Sequence, residues 1–433
     1  MLEMKDSGLI WIEKIPLGWT TDKLKYNFSF GKGLPITKDN LKDEGLPVVS
    51  YGQIHAKYNS GVNIDPSLLR YVENKYSTLF PLCEVKKYDF VFADTSEDYN
   101  GCGNCVYKRD DTLLFGGYHV VIAHSLFRKD MRYFAYLFQT DCWRRQIREK
   151  SSGVKVFSIT QKNISNASII VPPFEIQMKI ADFLDSKCIE IDKLVTDIQT
   201  EIETLEEYKK SVIIETVTEG LNPDVQMKDS SIKYVGKIPS TWELHPVYYY
   251  FGERKVKNYA LNEQNLLSLS YGKIIRKDIN TNGGLLPASF NTYNVVEPGD
   301  IIIRPTDLQN DKRSLRTGLV TEHGIITSAY IDLMPKGDIN SEYFHYLLHS
   351  FDVMKVFYNM GNGVRQGLNY SEFSKLLIFA PSKEEQDEIV KYLNDKCSVI
   401  EKTILLKKEQ LATLEEYKKS IIYEYVTGKR EVL

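Results

Sequence analysis

The chain has little of what the familiar functional classes require. No apolar run approaches the ~18–20 residues of a membrane span, and no basic-then-apolar signal opens the sequence, so no membrane association and cytoplasmic residence are expected. Six cysteines scattered over 433 residues do not make a secretory framework, and reduced thiols are expected. Cys102 and Cys105 have a zinc-like spacing, but no second pair follows, and a loop with two free thiols is the simpler reading. The histidines are dispersed, and His323, His345 and His349 read as surface or packing residues. No phosphate-cradling Gly-rich loop with Lys-Ser/Thr occurs, and Gly361-Asn-Gly363 lacks the strand, spacing and acidic partner of a dinucleotide fingerprint. Asn222-Pro223-Asp224 lacks the second proline and the aromatic residue of amino-methyltransferase motifs, while Glu84-Val-Lys86 and Glu207-Tyr-Lys209 are only the bare tail of a nuclease pattern. No catalytic residue, metal ligand or cofactor of the chain's own is expected.

A basic excess is also missing, since the net charge is −3. The average hides an uneven distribution. Residues 189–220 carry nine acids and three lysines, leaving +3 for the rest of the chain. Local basic runs lie at Arg144, Arg145, Arg148, Lys150 and Lys155, and again at Arg304, Lys312, Arg313 and Arg316. A basic surface on each globular half is one reading, a solvated face the other.

What the sequence does contain is an internal duplication. Thr204–Thr218 recurs at Thr413–Thr427 with 12 of 15 positions identical, an offset of 209 residues. The same offset relates Pro172, Gln177, Ile180, Leu184, Lys187 and Cys188 to Pro381, Gln386, Ile389, Leu393, Lys396 and Cys397. Upstream the copies drift: Gly153-Val-Lys155 answers Gly363-Val-Arg365, Ser50-Tyr-Gly52 answers Ser270-Tyr-Gly272, and Lys14-Ile-Pro16 with Trp19 answers Lys237-Ile-Pro239 with Trp242. Each copy thus keeps its framework and varies a surface.

The nearly constant part of each copy is helical. From Phe174 to about Thr218 apolar residues recur at helical spacing, with Pro172-Pro173 at the entry, Gly220 at the exit and room for one break near Cys188. The twin runs from Ser382 to about Thr427. Residues 189–220 alone would span roughly 50 Å at ~1.5 Å per residue. Two such helices most simply pair as an antiparallel coiled coil, with Ile191, Leu194, Ile198 and Leu205 facing Ile404, Leu411, Leu414 and Ile421. The divergent halves are α+β: strands are expected at Leu46–Ser50, Phe90–Ala93, His119–Ala123, Leu266–Ser270, Asp300–Arg304 and Ala329–Met334, and helices at Met131–Arg148 and Glu342–Asn359.

These residues carry a family resemblance. Two variable domains, each followed by Pro-x-x-x-x-Gln-x-x-Ile-x-x-x-Leu and a long helix ending in Leu-Glu-Glu-Tyr-Lys-Lys-Ser, together with the Lys-Ile-Pro-x-x-Trp openings, resemble the DNA specificity subunit of type I restriction-modification systems. Gly363-Val-Arg365-Gln-Gly-Leu368 is family-like, whereas Gly153-Val-Lys155-Val-Phe-Ser158 departs from that pattern. The resemblance covers the whole chain and implies a non-catalytic reading head. It implies target recognition domains at 1–172 and 221–380, helical spacers at 173–220 and 381–433, and a pseudo-two-fold arrangement matching the dyad of the DNA backbones. Each domain would read one half of a split double-stranded DNA target, and the helices would set the spacing and dock methyltransferase subunits, two of them. S-adenosylmethionine would bind those partners, and restriction/translocase subunits remain open.

Phosphate contacts position a protein on DNA while base-edge contacts specify sequence. The DNA-binding candidates near framework anchors are Tyr51, Gln53, Lys57 and Lys155 in the first copy, and Tyr271, Lys273, Arg276, Arg304, Arg313, Arg365 and Gln366 in the second. Two alternatives stay open at this level: a coiled-coil scaffold whose domains bind peptide or ligand, and a specificity module of a methyltransferase-nuclease outside type I systems.

Overall fold

The structure is a computed structural model that describes residues 3–432 except 58, 128, 233–234, 280–286, 288, 307, 309–314 and 361–366, and leaves out the side chains of 358 and 359. The chain divides into two units. One comprises Met1–Ile198 with Glu409–Leu433, the other Gln199–Lys408.

In the first unit, strands β1 (Phe28–Lys32), β2 (Phe90–Ala93), β3 (Cys105–Tyr107) and β4 (Val120–Ser125) form an antiparallel sheet in the order β1-β4-β2-β3. Side chains alternate across it. Phe90, Phe92, Tyr107, Val121 and Ala123 join one core, and Val91, Ala93, Val106, Val120 and Ile122 another. Helices α1 (Arg132–Gln139) and α2 (Asp141–Arg148) cover the first face. The single helix expected over 131–148 is therefore two, because Thr140 is extended and its hydroxyl accepts a hydrogen bond from Trp143 N, capping α2.

Helix α3 (Phe174–Glu219) then runs without interruption for 46 residues, so Cys188 marks no break. Its entry explains the repeated Pro-x-x-x-x-Gln. The buried Gln177 side chain donates Nε2–H to Pro172 O at 2.8 Å, a carbonyl that the proline turn leaves unpaired.

The second unit repeats this construction. Strands β5 (Phe251–Glu253), β6 (Leu267–Ser270), β7 (Lys273–Arg276), β8 (Ile301–Ile303), β9 (Thr317–Leu319) and β10 (Ile331–Pro335) include a four-stranded antiparallel sheet ordered β5-β10-β8-β9, the same winding as in the first unit, and a separate β6-β7 hairpin. Helix α4 (Ser341–Val353) takes the place of α1 and α2. Helix α5 (Lys383–Val426) mirrors α3, and Gln386 donates to Pro381 O at 3.0 Å as Gln177 does to Pro172. Trp19 meets Tyr133 edge-on at 6.3 Å, and Trp242 meets Tyr343 edge-on at 6.5 Å. Of the described residues, none lies in a helix long and apolar enough to cross a membrane.

Each unit contains a stretch of both long helices. Between Cys188 and Val212 of α3 the buried or half-buried positions are Cys188, Ile191, Val195, Ile198, Ile202, Leu205, Lys209 and Val212; between Cys397 and Ile421 of α5 they are Cys397, Ile400, Ile404, Lys407, Leu411, Leu414, Lys418 and Ile421, with Thr403 beside Ile404. This alternation of three and four is a heptad seam. Leu194, placed on the seam by its hydrophobicity, is instead 50% exposed, and its neighbour Val195 faces inward. The pairing is antiparallel: within the second unit Glu201 meets Lys407 whereas Lys209 meets Glu401. Lys418 pairs with Asp192 at 2.6 Å in the first unit, and the Lys209–Glu401 pair, 209 residues away on both sides, is its counterpart in the second. The acidity of 189–220 is thus partly matched across the seam.

The helix ends are docked alike. Gly428, in a left-handed turn at φ 69°, packs so closely on Pro16 and Trp19 that a Cβ would lie 2.4 Å from the proline ring. Gly220, at φ 80°, sits against Trp242 and Pro239.

Candidate nucleic-acid interface

In the first unit the surface is assembled around Asp94 and Thr95, just beyond the end of β2. Ser50 and Gln53 form a capping box, with Gln53 Oε1 accepting from Ser50 N at 3.0 Å, so part of the Gln53 side chain is committed to starting its own short helix. That helix presents Tyr51, whose ring meets His55, Tyr118 and His119 edge-on at 6.3, 5.7 and 5.5 Å. The close approach depends on Gly117, where a Cβ would fall 2.0 Å from Ser50 Oγ. His119 itself has φ 55°, a conformation costly for a non-glycine residue. Its Nδ1 lies 3.3 Å from Asp94 Oδ1 and 3.3 Å from Thr95 Oγ1. Behind it, His55 Nε2 is 2.8 Å from Thr95 O, and His55 Nδ1 is 3.1 Å from Asn104 Nδ2.

Lys155 borders the same place. Phe157–Ser158 pairs antiparallel with Thr95–Ser96, and Ile159 N donates to Asp94 O at 2.8 Å, so the loop bearing exposed Val154 and Lys155 rises beside Asp94. The second unit retains this anchor: Leu368, 209 residues after Ile159, donates its N–H to Pro305 O at 2.9 Å. Lys57 is exposed three residues past the end of the short Tyr51–Ile54 helix.

In the second unit Tyr271 caps the β6-β7 hairpin at φ 46° and is 77% exposed. Lys273 and Arg276 are exposed on β7, and Arg276 Nε donates to Glu322 Oε2 at 2.6 Å. Arg304 is half-buried at the end of β8, its N–H donating to Arg316 O at 2.8 Å. Beneath the hairpin tip, burial pushes both His345 and His349 down to about 4, so they stand neutral at physiological pH. The candidates Arg313, Arg365 and Gln366, and with them Lys312, lie outside the described residues.

Several of the basic residues read from the sequence as a possible surface have internal roles. Arg144 donates Nε–H to Phe138 O at 2.7 Å, and Arg148 pairs with Asp141 at 2.5 Å. Arg316, 1% exposed, donates to Thr306 O at 2.6 Å, and its backbone N–H donates to Asp352 Oδ2 at 2.7 Å. Arg145 and Lys150 remain exposed. Cys102 and Cys105 are free and buried, and burial pushes the Cys105 thiol up to about 12. Among the described residues no group of three or more His, Cys, Asp or Glu is placed to hold a metal ion. Sequence reasoning missed His119, Tyr118, Asp94 and His55; the one available signal was Gly116-Gly117, a tight bend directly before Tyr118.

Residues 16–204 match the family described as type I restriction modification DNA specificity domain. The putative type I restriction enzyme MjaX specificity subunit of Methanocaldococcus jannaschii is 24% identical over 440 residues, covering 97% of this chain and 96% of that protein. The MjaVIII specificity subunit of the same organism is 25% identical over 307 residues, covering 66% and 67%. In fold, the chain resembles a chain from a structural study of complex assembly and conformational transition of the type I R-M system, with a TM-score of 0.70, 14% identity, and coverage of 97% and 100%. It also resembles the HsdS subunit from Thermoanaerobacter tengcongensis, with a TM-score of 0.52, 15% identity, and coverage of 96% and 98%. Residues 16–204 thus match a type I restriction modification DNA specificity domain, and the chain as a whole, with its duplicated framework and paired helices, is similar to type I specificity subunits over nearly its full length.

Proposed function

We propose that this chain is a type I specificity subunit that reads a bipartite double-stranded DNA target, with domains 1–172 and 221–380 each contacting one half and the helices of 173–220 and 381–433 setting the distance between them. The observation that carries this reading is the duplication itself: equivalent sheets of the same winding bear surfaces that differ, Tyr51 with His119 in one and the Tyr271 hairpin in the other. A framework kept twice beneath two different surfaces is what reading two different sequences requires. Half-sites about one DNA turn, ~34 Å, apart are within reach of a ~50 Å helical spacer.

The helices also dock methyltransferase subunits in this reading, two in number because the outward-facing Tyr208 and Tyr417 are equivalent, each half exposed within an identical Leu-Glu-Glu-Tyr-Lys-Lys-Ser segment. Those partners bind S-adenosylmethionine and perform the transfer, and this chain supplies recognition. Methylome sequencing of a methylation-free host, with the adjacent methyltransferase expressed with and without this chain, tests the reading. A split motif that depends on the chain is expected, and a well-formed complex without chain-dependent methylation contradicts it. Four residues inserted after Gly220 should change the gap and leave both half-sequences intact; an unchanged gap removes the ruler role of the helices.

A further inference from the structure

We propose that His119 is a base-reading residue of the first domain and that its target is a base with an exocyclic amino group, adenine or cytosine, in the major groove. The inference rests on the DNA-reading function above and adds a residue and a base class to it.

Three observations converge on this side chain. It is 57% exposed, yet its backbone holds the left-handed conformation at φ 55°, which is uncommon for a residue with a side chain even though histidine tolerates it better than most. The ring is held from two sides, by the edge contacts to Tyr51 and Tyr118 and by Asp94 and Thr95 at Nδ1. Asp94 is in turn tied through its backbone carbonyl to Ile159, at the foot of the Lys155 loop. A strained, exposed ring fixed by polar and aromatic neighbours beside a basic loop has the preorganisation that discrimination demands and that a mere surface residue lacks.

The chemistry follows from Asp94. The Thr95 hydroxyl donates to Asp94 Oδ1 at 2.8 Å and so is free to accept at its oxygen from His119 Nδ1–H, 3.3 Å away and facing the same carboxylate; in that neutral tautomer Nε2 keeps a lone pair, an acceptor on the side away from Asp94. In the major groove the donors are the amino groups of adenine N6 and cytosine N4, whereas guanine and thymine present acceptors at the corresponding edge. Lys155, exposed on its loop, is placed to serve the neighbouring phosphate without sequence preference.

The test uses the assembled methyltransferase complex with the full-length chain carrying His119→Gly, because glycine accepts the positive φ without strain while the ring is lost. Binding is measured on the duplex defined by the wild-type methylome and on duplexes changed at one position at a time. Loss of discrimination on the order of tenfold at a single adenine or cytosine of one half-site, with the other half-site unaffected, is expected. Unchanged discrimination at every position overturns the proposal, and so does a uniform loss across all duplexes, which would assign His119 to backbone positioning. If the glycine variant does not melt cooperatively, His119→Asn, which also tolerates the left-handed region, is read in the same way. Absence of any chain-dependent motif with the wild-type chain would instead refute the DNA-reading function itself.

Discussion

Replacing Asp332 by isoleucine should stabilise the second unit, and by more as the pH rises. Asp332 lies on β10 directly opposite Ile302, the position that Ile122 holds opposite Val91 in the first unit. It is 1% exposed, and neither carboxylate oxygen has a hydrogen-bond partner. Burial, followed by the charge of Asp300 and against the opposing pull of Arg254, raises its pKa from 3.8 to about 8. The folded state therefore binds this proton more tightly than the unfolded chain, so the stability present below the unfolded value is lost as the pH rises through 4 towards about 8. At about 1.4 kcal/mol per unit, the loss between about pH 5 and about pH 9 amounts to roughly 4 kcal/mol. The isoleucine variant carries no such term and adds roughly 2 kcal/mol from burial of its side chain. Urea titrations of both proteins across that pH range measure the difference. A variant no more stable than wild type at about pH 9, or a gap that does not widen with pH, would refute the reasoning.

Thr216→Tyr restores in the second unit what Tyr425 does in the first, where it packs on Phe183 at a centroid distance of 4.3 Å; stacking on Tyr392, half exposed beside an open groove that Thr216 lines, should raise stability by roughly 1 kcal/mol in a thermal melt. A double-mutant cycle on Lys209 and Glu401 should return a coupling of about 0.3–1 kcal/mol that shrinks in high salt, since Lys209 is only half-buried. Lys155→Ala should weaken DNA binding evenly across sequences and reduce the magnitude of the salt slope by about 0.9, the contribution of one phosphate contact; a sequence-dependent loss would assign Lys155 to base reading instead.

The long helices were legible because thirteen turns of periodic hydrophobicity need no tertiary information, as the 46-residue α3 illustrates. The seam was read less accurately, since Leu194 and Val195 are adjacent and equally apolar, and only the strict three-four spacing from Cys188 selects the valine. Most strands fell close to where alternation placed them, but the helix over 131–148 hid a break, because Thr140 is a plausible helix residue until its hydroxyl is seen capping Trp143. The basic runs misled for a related reason. A sequence records that Arg316 is charged, not that Asp352 is waiting for it inside the domain. His119 was invisible for the opposite reason, as its exposure, its left-handed backbone and its neighbours 24 and 68 residues away are all products of folding.

The way the units share their helices also sets the order in which the protein can be built. The core of the first unit includes Ile421, Ile422, Tyr425 and Val426, and the Tyr133 hydroxyl donates to Val426 O at 2.7 Å. Those residues are synthesised only after the whole of the second unit. At ~5–20 residues per second, the stretch from Ile198 to Glu409 takes roughly 10–40 s to synthesise, and for that time the first domain stands with one wall of its interior missing and the apolar seam of α3 uncovered. The second unit, whose segments are contiguous in the chain, can close before it. The domain made first is thus finished last, and a nascent chain of this protein depends on whatever shields an unpaired helix during that interval.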